Sequence, residues 1–176
     1  MTIHTSHPFA DPEPDPARRF RGRLGGTVTL WTSGGGADRA GLTLSSVLVA
    51  LGEPAARVLG LADPDSDLVA TVEATGTGVV QLLSWPDRAL AEGFAGTAPA
   101  PGGVFRQAAF VETDWGPRLE HATTWAGVRL ERAEDVGWSR LLTCTVEHLE
   151  VGEDADLLAH HRGRWVRAAG QAAGDS

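Results

Sequence analysis

Lysine, asparagine and tyrosine are absent from this chain of 176 residues, and cysteine occurs once, as Cys144. Each absence closes a class of function. Without lysine there is no P-loop to grip a nucleotide phosphate, and without tyrosine no proton chemistry that depends on a phenol. A lone cysteine leaves no internal disulfide and no multi-cysteine zinc site. No apolar run approaches the roughly 20 residues that span a bilayer. The first 20 residues, MTIHTSHPFADPEPDPARRF, hold no apolar h-region, so no secretory signal is expected and the default compartment is the cytoplasm. Fifteen arginines against 23 acidic residues leave a net charge of −8, which argues against nucleic acid or an anionic membrane as partner. Neither a G-x-G-x-x-G between strand and helix nor a G-x-S-x-G elbow is present. His160 and His161 are adjacent, so their rings diverge on any regular element, and with no further ligand pair nearby they make a poor metal site.

What is there suits one ordinary domain, long enough to hide roughly two thirds of the surface its unfolded chain exposes. Residues 1–16, rich in proline and acids, read as a flexible arm, and 167–176, rich in alanine and glycine, as a frayed tail. The working domain is then 17–166. Strand patterns dominate it. Gly26–Thr32 alternates threonines with Val28 and Leu30, and Ala40–Leu51 alternates Leu42 and Leu44 with Thr43 and Ser45. Arg57–Ala62 reads as a short buried strand, followed by Thr77–Leu83, Gln107–Asp114, Leu119–Glu131 and Ser139–Val151. Two helices interrupt them: Ser66–Ala74, with a capping serine and an acidic first turn, and a second opening at Ser84-Trp-Pro-Asp87 and stopped by Gly96. About eight strands, two short helices and no βα alternation predict a mainly β fold, an antiparallel closed or nearly closed barrel.

Candidate chemistry lies in small hydroxyl side chains and arginines at strand ends. In Thr43-Leu44-Ser45-Ser46, hydroxyls and free backbone N–H groups at a strand end can hold a phosphate or the polar edge of a flat heterocycle. The same residues also fit an edge strand whose hydroxyls face water, and spacing alone does not choose. Cys144, in an alternating strand, reads as a buried small hydrophobe. His121 and His148 read as structural or solvated.

The order of motifs resembles the flavin reductase family of FMN-binding split barrels. Gly26–Thr32 matches the family's opening Gly-Val-Thr strand, Gly41–Ser46 its Gly-x-Thr-x-Ser-Ser, and Pro54–Leu61 its next strand. Ala62–Leu68 matches its Asp/Ser-rich helix opening, Leu90–Gly96 its Leu-Ala-x-x-Phe-Ala-Gly, and His160-His-Arg-Gly-Arg-Trp165 its closing Tyr-Tyr-Arg-Gly-x-Tyr. The resemblance spans about residues 18–165. It implies a homodimer with one FMN or FAD per subunit near the interface, NAD(P)H as reductant and a partner monooxygenase. Carried over by position, Thr43, Leu44, Ser45 and Ser46 would touch the flavin, and Ala62, Asp63, Ser66 and Asp67 would line the far end. Arg162 or Arg164 would meet the phosphate, and His161 would be the catalytic donor at the site's edge. The chain departs from the family at Gly137-Trp138-Ser139, where Gly-Asp-His is usual, and in the strand whose asparagine is here Gln81 or Leu82. Those departures keep open a barrel that binds flavin, deazaflavin or heme without turnover, or a dimeric scaffold without cofactor.

Overall fold

The computed structural model describes residues 15–153 and 156–168. Residues 1–14 of the expected arm and 169–176 of the expected tail lie outside that range. In chain order the described elements are α1 (Pro16–Leu24), β1 (Gly26–Thr27), β2 (Thr29–Ser33), β3 (Ala40–Leu44), β4 (Val47–Ala50) and β5 (Arg57–Ala62). After α2 (Asp67–Thr75) come β6 (Thr77–Leu82), α3 (Arg88–Phe94), β7 (Phe110–Thr113), β8 (Gly116–Leu119) and β9 (Trp125–Val136). The chain closes with β10 (Ser139–Glu150), β11 (Leu158–His161) and β12 (Arg164–Arg167), which runs one residue past the expected boundary at Val166.

Seven strands form one antiparallel sheet in the order β3-β2-β6-β9-β10-β5-β4. The expected strand over Ala40–Leu51 is therefore two strands, and they lie at opposite edges of this sheet. Only Ser45 and Ser46 join them. The three Cα–Cα steps from Leu44 to Val47 span about 11 Å at most, so the sheet must curl until its edges nearly meet. That connection is what makes the sheet a barrel split along one seam.

Alternation along β2 explains why it is buried along its whole length. Trp31 packs inside the curl with Leu44, Val58, Val80 and Leu142, and Leu30 packs on the other side with Leu83, Leu90, Phe94 and Leu119. Gly60 makes room for the Trp31 indole, since a Cβ there would lie 2.8 Å from Cζ2. α2 lays Leu68, Val69 and Val72 into the inner cluster and α3 lays Leu90, Ala91 and Phe94 into the outer one. Ser66 caps α2 as expected, its Oγ accepting from the Val69 N–H at 3.3 Å, and the Gly76 N–H closes the helix on the Val72 carbonyl at 2.8 Å. Gly76 takes φ 75°, the left-handed conformation a helix C-terminus favours.

One further expectation needs correction, and two features lie beyond the sequence expectations. The strand expected over Leu119–Glu131 is split, with β8 ending at Leu119 and β9 starting at Trp125. Residues 17–24, given no element in the sequence, form most of α1. The closing motif is a hairpin, β11–β12, whose turn residues Arg162 and Gly163 have φ 51° and 75°. Two positive φ values suit a type I′ turn. β1 pairs with β11 in a small three-stranded sheet, β1-β11-β12.

Candidate functional site

The Ser45–Ser46 connection sits where several segments converge. On one side the Leu61 N–H donates to the Ser46 carbonyl at 3.1 Å, which places the end of β5, and with it Ala62 and Asp63, beside the connection. On the other side a Cβ on Gly26 would lie 2.3 Å from the Ser45 carbonyl oxygen, so only a glycine lets β1 lie this close. Gly26 pairs with His160 in β11, and a Cβ on Gly25 would lie 3.0 Å from His161 Nδ1. The Arg162 N–H donates to the Gly22 carbonyl of α1 at 2.8 Å. A continuous rim thus runs from α1 and the β11–β12 turn, past Ser45 and Ser46, to Asp63 and the start of α2.

All the residues expected at a site fall along this rim, but their side chains do not share one fate. Thr43 points to α3 and donates its hydroxyl to the Ala91 carbonyl at 2.8 Å. Leu44 and Ala62 are buried in the inner core, so only their backbone faces outward. The Asp63 carboxylate accepts from the Asp65 N–H at 2.9 Å, and the Ser66 hydroxyl, besides capping α2, donates to the Asp63 carbonyl at 2.7 Å. Asp67 is exposed in the first turn of α2. Ser45, half-buried, and Ser46, exposed, have hydroxyls without a hydrogen-bond partner among the described residues. Arg162 and Arg164 are exposed, and no carboxylate lies within ion-pair distance of either among the described residues.

The hairpin sorts its histidines. His160 sits opposite Trp165 and His161 opposite Arg164, so the two pairs occupy opposite faces. The Trp165 face turns to α3, with its indole N–H donating to Glu92 at 3.0 Å and the His160 ring edge-on to it at 5.3 Å. Partial burial, reinforced by the charge of Arg21 and by His161, holds His160 below the ordinary histidine range. His161 and Arg164 share the other face.

Other chemistry-bearing groups are accounted for elsewhere. Burial pushes the Cys144 thiol up to about 12, which leaves it protonated and inert. His121 pairs with Asp87 at 2.9 Å, and His148 with Glu150 at 3.0 Å while stacking on Trp115. Gln81 is fully buried, its amide accepting from the Leu119 N–H at 2.7 Å and donating to the Thr32 hydroxyl at 3.3 Å, so it pins β8 to the sheet. Trp138, at the β9–β10 tip, is 85% exposed and packs in no core. Among the described residues no helix is long and apolar enough to cross a membrane, and no three His, Cys, Asp or Glu side chains gather to hold a metal.

The motif order, the curled sheet and the rim agree with one family. Its flavin reductase like domain matches residues 21–169. The chain belongs to the flavin reductase-like family. The FMN reductase (NADH) RutF of Agrobacterium fabrum is 26% identical over 154 residues, 84% of each chain. The NADH:FAD oxidoreductase SgcE6 of Streptomyces globisporus superposes with a TM-score of 0.78 at 22% identity, covering 92% of this chain and 99% of its own. BorF, the flavin reductase component of a bacterial two-component tryptophan halogenase, gives 0.75 at 19% identity over 88% and 98%. The fold is thus the split barrel expected from the motifs. The rim residues carry sequence signals, whereas α1, whose arginines adjoin the hairpin, is not among the expected elements. The signal available was four arginines in the nine residues PARRFRGRL of a net acidic chain.

Proposed function

We propose that this chain is a flavin reductase that draws on NADH or NADPH, holds FMN or FAD at the Ser45–Ser46 rim and passes reduced flavin to a partner monooxygenase. The observation that carries the reading is the state of the rim within a family-wide match. Of the hydroxyls expected to meet a flavin, those of Ser45 and Ser46 are free to do so, and they stand where two sheet edges meet.

The donor set fits a phosphorylated heterocycle. Ser45 and Ser46 would hydrogen-bond the flavin, with the backbone of Thr43, Leu44, Ala62 and Asp63 beside them. Arg162 and Arg164 would meet the phosphate, for which a guanidinium fork is matched. The negative Asp67 and the committed Ser66 hydroxyl leave the start of α2 a poor place for that anion. His161, on the face it shares with Arg164, would donate a hydrogen bond at the site's edge. A bound flavin would supply the hydride-accepting chemistry itself, so the protein's part is to orient and to exclude water.

A homodimer goes with this reading. β4 is an edge strand on which Leu48 is 73% and Val49 61% exposed, and Leu51 just beyond is 91% exposed. Neighbouring residues of a strand face opposite ways, so beyond the half-buried Val47, β4 shows apolar surface on both faces beside its open edge. The relatives support the rest: RutF is an FMN reductase using NADH, and BorF serves a two-component halogenase.

The purified protein, titrated with FMN and FAD and then given NADH or NADPH, tests the proposal. Flavin uptake with steady loss of reduced-nicotinamide absorbance is the expected result, and a protein that ignores both flavins refutes it. The Gly137-Trp138-Ser139 turn favours a second reading, a flavin carrier without turnover. Tight flavin binding with no nicotinamide consumption would establish that one instead.

A further inference from the structure

Arginine is usually paired in this molecule. Arg57 meets Glu131 at 2.9 Å, Arg129 meets Glu147 at 2.5 Å, Arg132 meets Glu134 at 2.9 Å and Arg167 meets Asp156 at 3.1 Å. Arg140 bridges Glu73 and Asp135. Arg39 and Arg88 lie over aromatic rings. Six exposed arginines form no such contact among the described residues: Arg106 sits apart in the Val104–Arg106 turn, and the other five belong to α1 and the hairpin. Arg19, Arg21 and Arg23 of α1, with Arg162 and Arg164 of the hairpin, have no carboxylate within ion-pair distance among the described residues.

These five are close together because α1 rests on the hairpin turn. The Arg162 N–H donates to the Gly22 carbonyl at 2.8 Å, and a Cβ on Gly22 would lie 3.7 Å from the Arg162 Cα. At 100° per residue, Arg21 flanks Gly22 on one side and Arg19 and Arg23 on the other. The contact is therefore ringed by cations. Among the described residues, no acid of this net acidic chain pairs with them. Last-turn arginines favour a helix C-terminus, which accounts for Arg21 and Arg23 in part but not for Arg19 or the hairpin pair. α1 buries none of its side chains, so packing does not explain its composition either.

The cationic patch adjoins the rim through Gly25 and Gly26, the latter in contact with the Ser45 carbonyl. We propose that α1 and the β11–β12 turn form a cationic clamp for the phosphate arm of a nucleotide seated at the rim, with Arg19, Arg21 and Arg23 reaching it from the helix side. The inference rests on the flavin-reductase reading and deepens it. The shared chemistry is a phosphate or pyrophosphate, whether carried by the flavin or by the nicotinamide.

The triple variant Arg19→Gln, Arg21→Gln, Arg23→Gln tests the clamp, with riboflavin as the phosphate-free control and as a check that the barrel is folded. Riboflavin affinity should hold, while a phosphorylated ligand loses about tenfold, as expected for exposed charge-assisted hydrogen bonds. The salt dependence of its binding should flatten too. A loss for FMN and FAD alike assigns the clamp to the flavin phosphate, and a loss for FAD alone to the pyrophosphate. A raised KM for NADPH with that for NADH unchanged assigns it to the 2′-phosphate. No change for any phosphorylated ligand, or a loss as large for riboflavin, overturns the clamp while leaving the flavin reading intact. Wild-type protein that binds neither riboflavin nor FMN overturns both.

Discussion

At the scale of single residues, the rim separates side chains that four consecutive letters present as alike. Thr43 and Ser45 lie on the same face of an alternating strand in sequence, yet the Thr43 hydroxyl is spent on the Ala91 carbonyl at 2.8 Å while that of Ser45 is free. The difference comes from α3, which packs over Gly41 and Thr43, and no local pattern announces where a helix some 45 residues on will dock. Ser45 and Ser46 are consequently the hydroxyls whose loss should be felt by a ligand and not by the fold. The double variant Ser45→Ala, Ser46→Ala should keep its thermal midpoint and bind FMN more weakly by about 1–3 kcal/mol in total, the usual range for lost hydrogen bonds. Titration by flavin fluorescence reads this directly, and undiminished affinity would take those hydroxyls out of the site. Thr43→Val should do the reverse, loosening α3 with less effect on flavin.

At the scale of elements, legibility followed burial. β2, β5, the capped helix α2 and the helix α3 each bury one periodic stripe or a whole short run, and each is readable in the sequence. α1 buries nothing, so its arginine-rich nine residues show no apolar stripe to read. The β11–β12 hairpin turns on Arg162, a residue that seldom takes positive φ, in place of the Asn or Asp that would signal it. The break between β3 and β4 is silent for another reason. Both halves are strand-forming, and only closure of the sheet decides that the chain leaves one edge at Ser45 and joins the other at Val47. Gln81 shows the same dependence on tertiary context. The family's asparagine falls at Gln81 or Leu82 in the sequence, a departure that leaves turnover open, and the structure uses Gln81 to hold β8. Gln81→Leu should therefore strand the buried Leu119 N–H and cost about 1–3 kcal/mol of stability, seen as a lower denaturant midpoint. Flavin affinity per folded molecule should be unchanged, and a selective loss of binding would return Gln81 to the site.

For the whole molecule, the seam of the split barrel and its proposed contact with a second copy are one feature. Ser46 ends the rim and the next residue begins β4, an edge strand that packs Val47 on the inner core but leaves Leu48 and Val49 exposed on its two faces. A lone molecule would offer Leu48, Val49 and Leu51 as a template for any passing strand, a hazard that edge strands normally blunt with charge. No lysine or arginine stands in Val47–Leu51 to do so. Covering β4 with a second copy would also wall in the rim from the side that Ser46 leaves open. Assembly and flavin binding should then be coupled, each favouring the other by the same free energy. In size-exclusion chromatography with light scattering, the wild type should run at twice the mass of its chain, and Leu48→Arg with Leu51→Arg should run as a monomer. That variant should bind FMN more weakly although neither residue lies on the rim, and added FMN should push it back toward the dimer. A monomeric wild type would dismiss the interface, and a monomeric variant with full flavin affinity would show that one copy completes the site alone.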